Sequence, residues 1–467
     1  MPDQPAPAAP AAPADEPYRE HLLKIGVSGV RGVVGEFFTP SIACAFAQAF
    51  GTYVGAGRVV VGRDTRTSGP MLTHAVTSGL LAAGCEVVQL GVIPTPSLQA
   101  YIAATRARGG LAITASHNPS EYNAVKLFNA EGLFFNGYER SELLDLYHQR
   151  SFTEASNAEI RRVSSEPADA TRYHLDRVLT HIDVKRVRAR KFTVALDGVN
   201  GAGSIVTPGF LQKDLGCTLH AIFVDPTQVF PRVPEPRPDT LGELSSLVQA
   251  VGAEIGFAQD PDGDRLAVVD ETGRVLDNDD VLALAVDAAL RRVKGDVVVN
   301  LTTSSVIDDV ARAHGRRVYR TAVGEANVVE MMQAVDAAIG GEGSNGGIIF
   351  PAVHLCRDSY TGMAMLLDRM AETGKTISEL QRALPQYSRK LGMMPFEHGR
   401  LGVMMQALEE AFPGASADRT DGLKITIPDG WIHVRASNTE PILRLAVETR
   451  TAKATDALYD RVAQLFV

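Results

Sequence analysis

The feature that most constrains this chain is a unit that occurs three times: a buried strand, a polar turn, an amphipathic helix, a glycine stop and a second strand. The first copy opens on Arg58-Val59-Val60-Val61-Gly62-Arg63-Asp64 and resumes at Gly84-Cys85-Glu86-Val87-Val88. The second opens on Phe192-Thr193-Val194-Ala195-Leu196-Asp197-Gly198 and resumes at Gly216-Cys217-Thr218-Leu219. The third opens on Asp296-Val297-Val298-Val299-Asn300, runs a helix from about Ser305 to His314, and resumes at Gly315-Arg316-Arg317-Val318-Tyr319. Near-continuous apolar runs of this kind are strands covered on both faces, and a glycine after a periodic stretch stops a helix. The pattern therefore predicts three related α/β domains, each with a buried sheet under helices.

The chain has 467 residues, enough for about three or four domains. Polar or turn-rich stretches at Ser151 to Pro167 and Asp270 to Asp279, and around Glu372 to Lys375 with Pro385 beyond, mark the boundaries. The expected domains are 21–155, 165–270, 271–378 and 385–467. The last reads as a helix, Leu401 to Phe412, then strands Gly422 to Ile427, Trp431 to Arg435 and Leu443 to Glu448, a smaller α+β unit. Residues 1–20 hold the Pro/Ala-rich stretch Met1 to Pro17, which lacks a basic n-region and a long apolar core; it reads as a disordered tail. A net charge of −9 argues against a general nucleic-acid binder, although a local basic cleft for a small anion is compatible with it. Apolar stretches such as Val281 to Leu290 are too short and too charged to span a membrane. Cys44, Cys85, Cys217 and Cys356 are scattered, without a CxxC pair, which fits free thiols in a reducing cytoplasm.

Four loops carry chemistry. In Thr114-Ala115-Ser116-His117-Asn118-Pro119 the apolar run Leu111-Ala112-Ile113 ends in hydroxyl and amide residues, and Asn-Pro forces a turn. Ser116 is thereby a candidate nucleophile at a strand end. In Asp260-Pro261-Asp262-Gly263-Asp264-Arg265, proline and glycine disfavour a helix, and an extended loop sends all three carboxylates to one side. Such a cluster repels itself unless a cation intervenes, and hard oxygen ligands select Mg²⁺ or Ca²⁺. An EF-hand does not fit, because its sixth position, Arg265, is not glycine and a strand follows at once. A phosphatase loop with Asp260 attacking is the rival; such loops usually continue Gly-Thr, and this one continues Gly-Asp.

Gly340-Gly341-Glu342-Gly343-Ser344-Asn345-Gly346-Gly347 lets backbone approach a ligand closely, with Glu342 and Ser344 as acceptor and donor for sugar hydroxyls. Arg435-Ala436-Ser437-Asn438-Thr439-Glu440-Pro441 combines a guanidinium, two hydroxyls, an amide and turn N–H groups, a cradle for a dianion. Gly26-Val27-Ser28-Gly29-Val30-Arg31-Gly32 adds a glycine-flanked arginine, Arg31, suited to clamp a phosphate beside Ser116.

In this order the motifs resemble the α-D-phosphohexomutase family: phosphoglucomutases, phosphomannomutases and phosphoglucosamine mutases. The resemblance covers essentially all of the chain after the tail. It implies four domains around a central cleft, three of mixed α/β topology and a smaller α+β C-terminal one. It implies that Ser116 carries a phosphoryl group, with Mg²⁺ held by Asp260, Asp262, Asp264 and a phosphoserine oxygen, and with Arg265 as the adjacent arginine. Lys126, ten residues after the serine, matches the family's proposed general base, and His117 and Arg31 stand with it among the catalytic candidates. An amine can act so near neutrality only if its surroundings lower its pKa. Glu342 and Ser344 match the sugar loop; Arg435, Ser437, Asn438 and Thr439 match the loop for the non-reacting phosphate.

Many members have Ser-Gly-His in the sugar loop, where this chain reads Ser344-Asn345-Gly346-Gly347 and lacks the histidine. That loop with Ile348-Ile349-Phe350-Pro351, and Glu121-Tyr122-Asn123-Ala124 after the serine, are similar to the archaeal-type phosphoglucosamine mutase branch. The expected activity is interconversion of hexose 6- and 1-phosphates through a bisphosphate, with glucosamine phosphate as substrate and a hexose 1,6-bisphosphate as activator. Phosphomannomutase or phosphoglucomutase activity is the alternative, followed by an aspartate-nucleophile phosphatase and a silent sugar-phosphate sensor. The expected partner is a small phosphosugar, with no nucleic acid or membrane, and the chain a monomer or homodimer.

Overall fold

The computed structural model of the protein describes residues 24–26, 29–166, 170–395, 398–436 and 442–466. The expected tail, residues 1–20, lies outside the described residues, as do Ser437, Asn438 and Thr439 of the phosphate loop.

The three repeats each build one sheet on a common plan. In the first, strand Gly109–Ile113 lies parallel to Arg58–Arg63, which lies parallel to Glu86–Val92, and Tyr122–Phe128 pairs antiparallel with Gly109–Ile113. The second repeats this with Ile255–Gln259, Thr193–Asp197 and Thr218–Ile222, closed by antiparallel Leu266–Asp270. The third repeats it with Ile339–Glu342, Val297–Asn300 and Val318–Thr321, closed by antiparallel Gly347–Phe350. The helices between paired strands end as the glycine stops predict: Gly84, Gly216 and Gly315 have φ of +81°, +71° and +67°, where a Cβ is strained.

Because the plan is shared, the serine, metal and sugar loops occupy one topological position. Each links the strand beside the central one to its antiparallel neighbour, and all three open on the same cleft.

The first sheet is wider than the repeat requires. Lys24–Gly26 and Gly29–Val33 extend one edge, and Val163–Ser165 pairs parallel with Glu86–Val92 at the other. This sheet thus draws on residues beyond the expected boundary at 155, because the edge of Glu86–Val92 is covered by a strand from a segment that reads as polar linker. The fourth sheet is antiparallel, in the order Ser388–Pro395, Ile442–Thr449, Gly430–Ala436, Leu423–Ile427, Ser416–Asp418, backed by helices Leu401–Ala411 and Ala452–Gln464.

The second and third domains share one apolar core, in which Phe192, Val194 and Phe257 are continuous with Val297, Tyr360 and Leu366. The fourth domain has a core of its own around Leu408, Ile432 and Leu445. A buried polar chain locks the first three together: Ser97 Oγ lies 3.0 Å from His174 Nδ1, and His174 Nε2 lies 2.8 Å from Asp358 Oδ2. These residues come from the first, second and third domains and are 0%, 0% and 2% exposed, so this Ser-His-Asp chain is a clamp without access to substrate. No helix among the described residues is long and apolar enough to cross a membrane, and all four cysteines are free thiols.

Candidate active site

Ser116 sits where strand Gly109–Ile113 gives way to its loop, 5% exposed and with φ +48°, a left-handed backbone that non-glycine residues adopt at a cost. Arg66 holds it there. The Arg66 guanidinium donates to the carbonyl oxygens of Ser116 and Asn118, both at 2.7 Å, and to those of Pro119 and Tyr122. Its Nε donates to Asp64 Oδ2 at 3.0 Å, and the same oxygen accepts from Thr114 Oγ1 at 2.7 Å. Thr114 Oγ1 in turn accepts the Ser116 N–H at 2.9 Å. Ser116 Oγ points at the metal loop and donates to Asp260 Oδ2 at 2.6 Å.

The metal loop is gripped from three domains. The Thr95 N–H, opening helix Thr95–Thr105 of the first domain, donates to Asp262 O at 2.9 Å; Ala202 N–H donates to Pro261 O at 2.7 Å; Ser359 Oγ donates to Gly263 O at 2.6 Å. Asp260, Asp262 and Asp264 are buried, and one carboxylate oxygen from each lies within 4.8 Å of the others. Asp262 Oδ1 and Asp264 Oδ1 have no hydrogen-bond partner among the described residues. Buried carboxylate oxygens left without donors fit a hard divalent cation. Burial, then the Asp264 and Asp262 charges, push Asp260 well above the usual carboxylate range. Burial would raise Asp264 as well, but Arg357, Lys126 and Arg265 hold it below that range.

Lys126 reaches the same place from strand Tyr122–Phe128, its Nζ 2.5 Å from Asp262 Oδ2 and 3.4 Å from Asp264 Oδ2. Burial would lower its pKa, yet the two carboxylates raise it above the ordinary lysine value. The lowered pKa that a lysine base requires is therefore absent: the amine is held as a cation by a loop from another domain. His117 is buried and its pKa is lowered to about 2, by burial and then by Arg265, Arg31 and Arg357, so the imidazole is neutral. Arg31, on Gly29–Val33, donates to Asn118 Oδ1 at 2.6 Å, and Arg265 donates to Glu235 Oε1 at 2.7 Å.

Arg31, Ser116, His117, Lys126 and Arg265 line one open cleft of about 220 Å³, facing Glu342 and Asn345 of the sugar loop. Glu342 Oε1 accepts from Asn300 Nδ2 at 2.9 Å and from the Gly324 N–H at 2.8 Å. Ser344 is half-buried, its Oγ 3.5 Å from Thr302 Oγ1, and is not part of the cleft lining. Arg435 also stands off the lining; its Nη1 lies 3.4 Å from Asp421 Oδ2, which accepts the N–H of the cleft residue Val323 at 3.0 Å. Charged residues at the site that lie outside the motifs include Arg66, Glu325 and Arg357. Their signals were faint, Arg66 two residues past the polar end of the first repeat strand and the others in unremarkable segments.

The chain matches four family models described as phosphoglucomutase/phosphomannomutase α/β/α domain I at residues 22–154, domain II at 172–273, domain III at 277–387 and the C-terminal domain at 400–465. It is 39% identical over 434 residues to a phosphoglucomutase/phosphomannomutase of Thermococcus kodakarensis, covering 91% of this chain and 94% of the relative. It is 36% identical over 446 residues to a probable phosphoglucosamine mutase of Methanopyrus kandleri, covering 94% and 97%. Among solved structures it is similar to a phosphoglucomutase/phosphomannomutase family protein of Burkholderia thailandensis, with a TM-score of 0.81, 27% identity and coverage of 94% and 96%. With all four domains matched in order, this chain belongs to the phosphoglucomutase/phosphomannomutase family.

Proposed function

We propose that this enzyme moves a phosphoryl group reversibly between the 6- and 1-oxygens of a hexose, with Ser116 as the covalent carrier. The observation that carries the reading is a cleft lined by a strained serine, a buried lysine and the acidic Glu342 of the sugar loop, backed by three converging aspartates that touch the serine and the lysine. In the first half-reaction the bond from Ser116 Oγ to phosphorus breaks as a sugar hydroxyl oxygen bonds to phosphorus. The product is a hexose bisphosphate, which turns over and returns its other phosphoryl group to Ser116. A hexose 1,6-bisphosphate is the expected activator because it phosphorylates the free serine.

Such transfer depends on positioning and on neutralising charge at the phosphoryl oxygens. Mg²⁺, held by Asp260, Asp262, Asp264 and an oxygen on Ser116, would supply Lewis-acid neutralisation. Lys126 enters as a cation, suited to a phosphoryl oxygen and to returning a proton to Ser116 Oγ. Once it has given that proton to Ser116 Oγ, the neutral amine accepts the proton of the attacking sugar hydroxyl, so the transfer balances. Arg31 and Arg265 add fixed positive charge, and neutral His117 adds a hydrogen-bonding group. Glu342 receives sugar hydroxyls, assisted by Ser344, while Arg435 with Ser437, Asn438 and Thr439 holds the non-reacting phosphate.

Glucosamine phosphate is the proposed substrate, in keeping with the probable phosphoglucosamine mutases among the relatives. An aspartate phosphatase is disfavoured because Asp260 is fully buried and accepts the Ser116 hydroxyl. Parallel assays of glucosamine, mannose and glucose phosphates with Mg²⁺ and the matching bisphosphate test substrate and reaction together. Ser116→Ala is expected to lose turnover while still binding hexose phosphate; substantial mutase activity in that variant would refute the covalent carrier.

A further inference from the structure

Arg357 belongs to none of the four motifs, yet its guanidinium spans the metal loop and the sugar loop. It ends strand His354–Arg357 and is 8% exposed in the cleft that holds Ser116 and Lys126. Its stem crosses Gly347 so closely that a Cβ there would lie 2.4 Å from Arg357 Cδ. Gly347, one residue past the place of the usual sugar-loop histidine, thus makes room for an arginine arriving from the next strand.

Each nitrogen of the guanidinium has a different partner. Nε donates to Glu325 Oε2 at 2.8 Å, while the Arg357 backbone N–H donates to Glu325 Oε1 at 3.1 Å, so Glu325 fixes the fork from behind. Nη2 donates to Asp264 Oδ2 at 2.8 Å, leaving Asp264 Oδ1 without a partner among the described residues, as Asp262 Oδ1 also is. Nη1 lies 3.6 Å from Glu342 Oε2, whose partner oxygen is tied to Asn300 and Gly324. At that separation the charge orients Glu342 without consuming Oε2 in a direct hydrogen bond, and Oε2 stays available to a sugar hydroxyl.

We propose that Arg357 is a positioning residue that aims Asp264 Oδ1 at the cation and Glu342 Oε2 at the sugar at the same time. The inference rests on the mutase reading and goes beyond it, because it makes the grip on metal and the grip on sugar depend on one side chain. Only a planar fork with several donors meets these partners together; a lysine ammonium is a single point of charge.

The test uses Arg357→Lys, Arg357→Met and Gly347→Ala, the last of which displaces the stem and leaves the guanidinium in the protein. Mg²⁺ affinity is measured by calorimetry without sugar. Hexose-phosphate affinity is measured in EDTA on a Ser116→Ala background, where neither turnover nor metal contributes. Both Arg357 variants are expected to weaken Mg²⁺ about 10- to 100-fold, as removal of a partner behind a metal ligand does. They are also expected to weaken hexose phosphate about tenfold, with smaller losses in Gly347→Ala. Should Arg357→Met fail to fold, the other two, which keep the buried cation, decide the matter. Loss of metal affinity alone, or of sugar affinity alone, overturns the joint role, as does full rescue by lysine. Wild-type protein that binds none of the three hexose phosphates refutes the proposed function together with the sugar half of the inference. Wild-type binding that persists unchanged in the variants refutes the inference alone.

Discussion

Replacing Arg66 with methionine separates two things that the serine loop needs, a stable domain and a strained backbone. Arg66 and Asp64 side chains are both fully buried, so Arg66→Met leaves a buried carboxylate without its cation, a change that typically costs about 3–5 kcal/mol. A loss of that size lowers the melting temperature of a domain this large by on the order of 10 °C. The functional effect is separate. Ser116 holds φ +48° while Arg66 gathers four loop carbonyls around one guanidinium. A left-handed non-glycine residue costs about 1–3 kcal/mol. Without the clamp that strain is no longer opposed, and the competent loop falls to roughly one part in 5 to one part in 150. Mutase turnover is expected to drop by about that factor, with phosphoserine occupancy, read by intact-protein mass spectrometry, dropping alongside it. The double variant Asp64→Asn/Arg66→Met removes the stranded charge, so it is expected to recover melting temperature but not turnover. Recovery of turnover in the double variant, or Arg66→Met turning over within twofold of wild type, would refute the clamp.

Three further outcomes follow from the same structure. His354 is buried and its pKa is lowered to about 4, mainly by burial, with His174 and Arg177 adding to it. The unfolded chain takes a proton near pH 6.5 that the folded chain refuses, so this contribution is intact above about 6.5 and lost as pH falls toward 4. From pH 6.5 to 5 the loss is roughly 1.5 kcal/mol, and denaturant unfolding of His354→Gln should show a correspondingly flatter pH profile. Gly79→Ala would put a Cβ 2.1 Å from the Cys44 carbonyl where helices Pro40–Val54 and Gly69–Ala82 cross. It should cost about 1–3 kcal/mol in a thermal melt with little change in the specific activity of folded enzyme. Chelation of divalent cations should abolish turnover. Added Mg²⁺ should raise the melting temperature of wild type by an increment worth about 2.7 kcal/mol at a hundredfold excess over Kd. Asp262→Asn should lose most of that increment.

Legibility differed sharply between residues. Ser116 and the three aspartates are contiguous in sequence with their strand and turn signals, so chemistry and local geometry could be read together. The three-sheet plan was legible for the same reason, because its strands are apolar runs closed by polar turns. Arg66 and Arg357 act through contacts that only folding creates. Arg357 faces Glu342 because strands Gly347–Phe350 and His354–Arg357 pair with a register shift at Ile349/Phe350, and no local pattern encodes that shift. The ionisation of Lys126 was illegible because it is set by carboxylates of another domain. Strand Val163–Ser165 was hidden for a related reason: a three-residue edge strand has no periodicity to find.

The continuous core of the second and third domains has a bearing on how the enzyme comes apart. Two sheets that share Phe257, Tyr360 and Leu366 within one apolar mass cannot melt independently, and the His174 clamp adds the first sheet to the same cooperative block. The fourth domain keeps its own core and meets the third through polar contacts: Lys424 Nζ to Leu301 O at 2.6 Å, Ser305 N–H to Glu448 Oε1 at 2.8 Å, and the Arg389–Asp279 ion pair. Calorimetry should therefore resolve a small endotherm for the last domain ahead of a large one for the rest. The division that sets those endotherms also makes the seam between the third and fourth domains, held by polar contacts rather than shared core, the one at which relative motion costs least apolar burial.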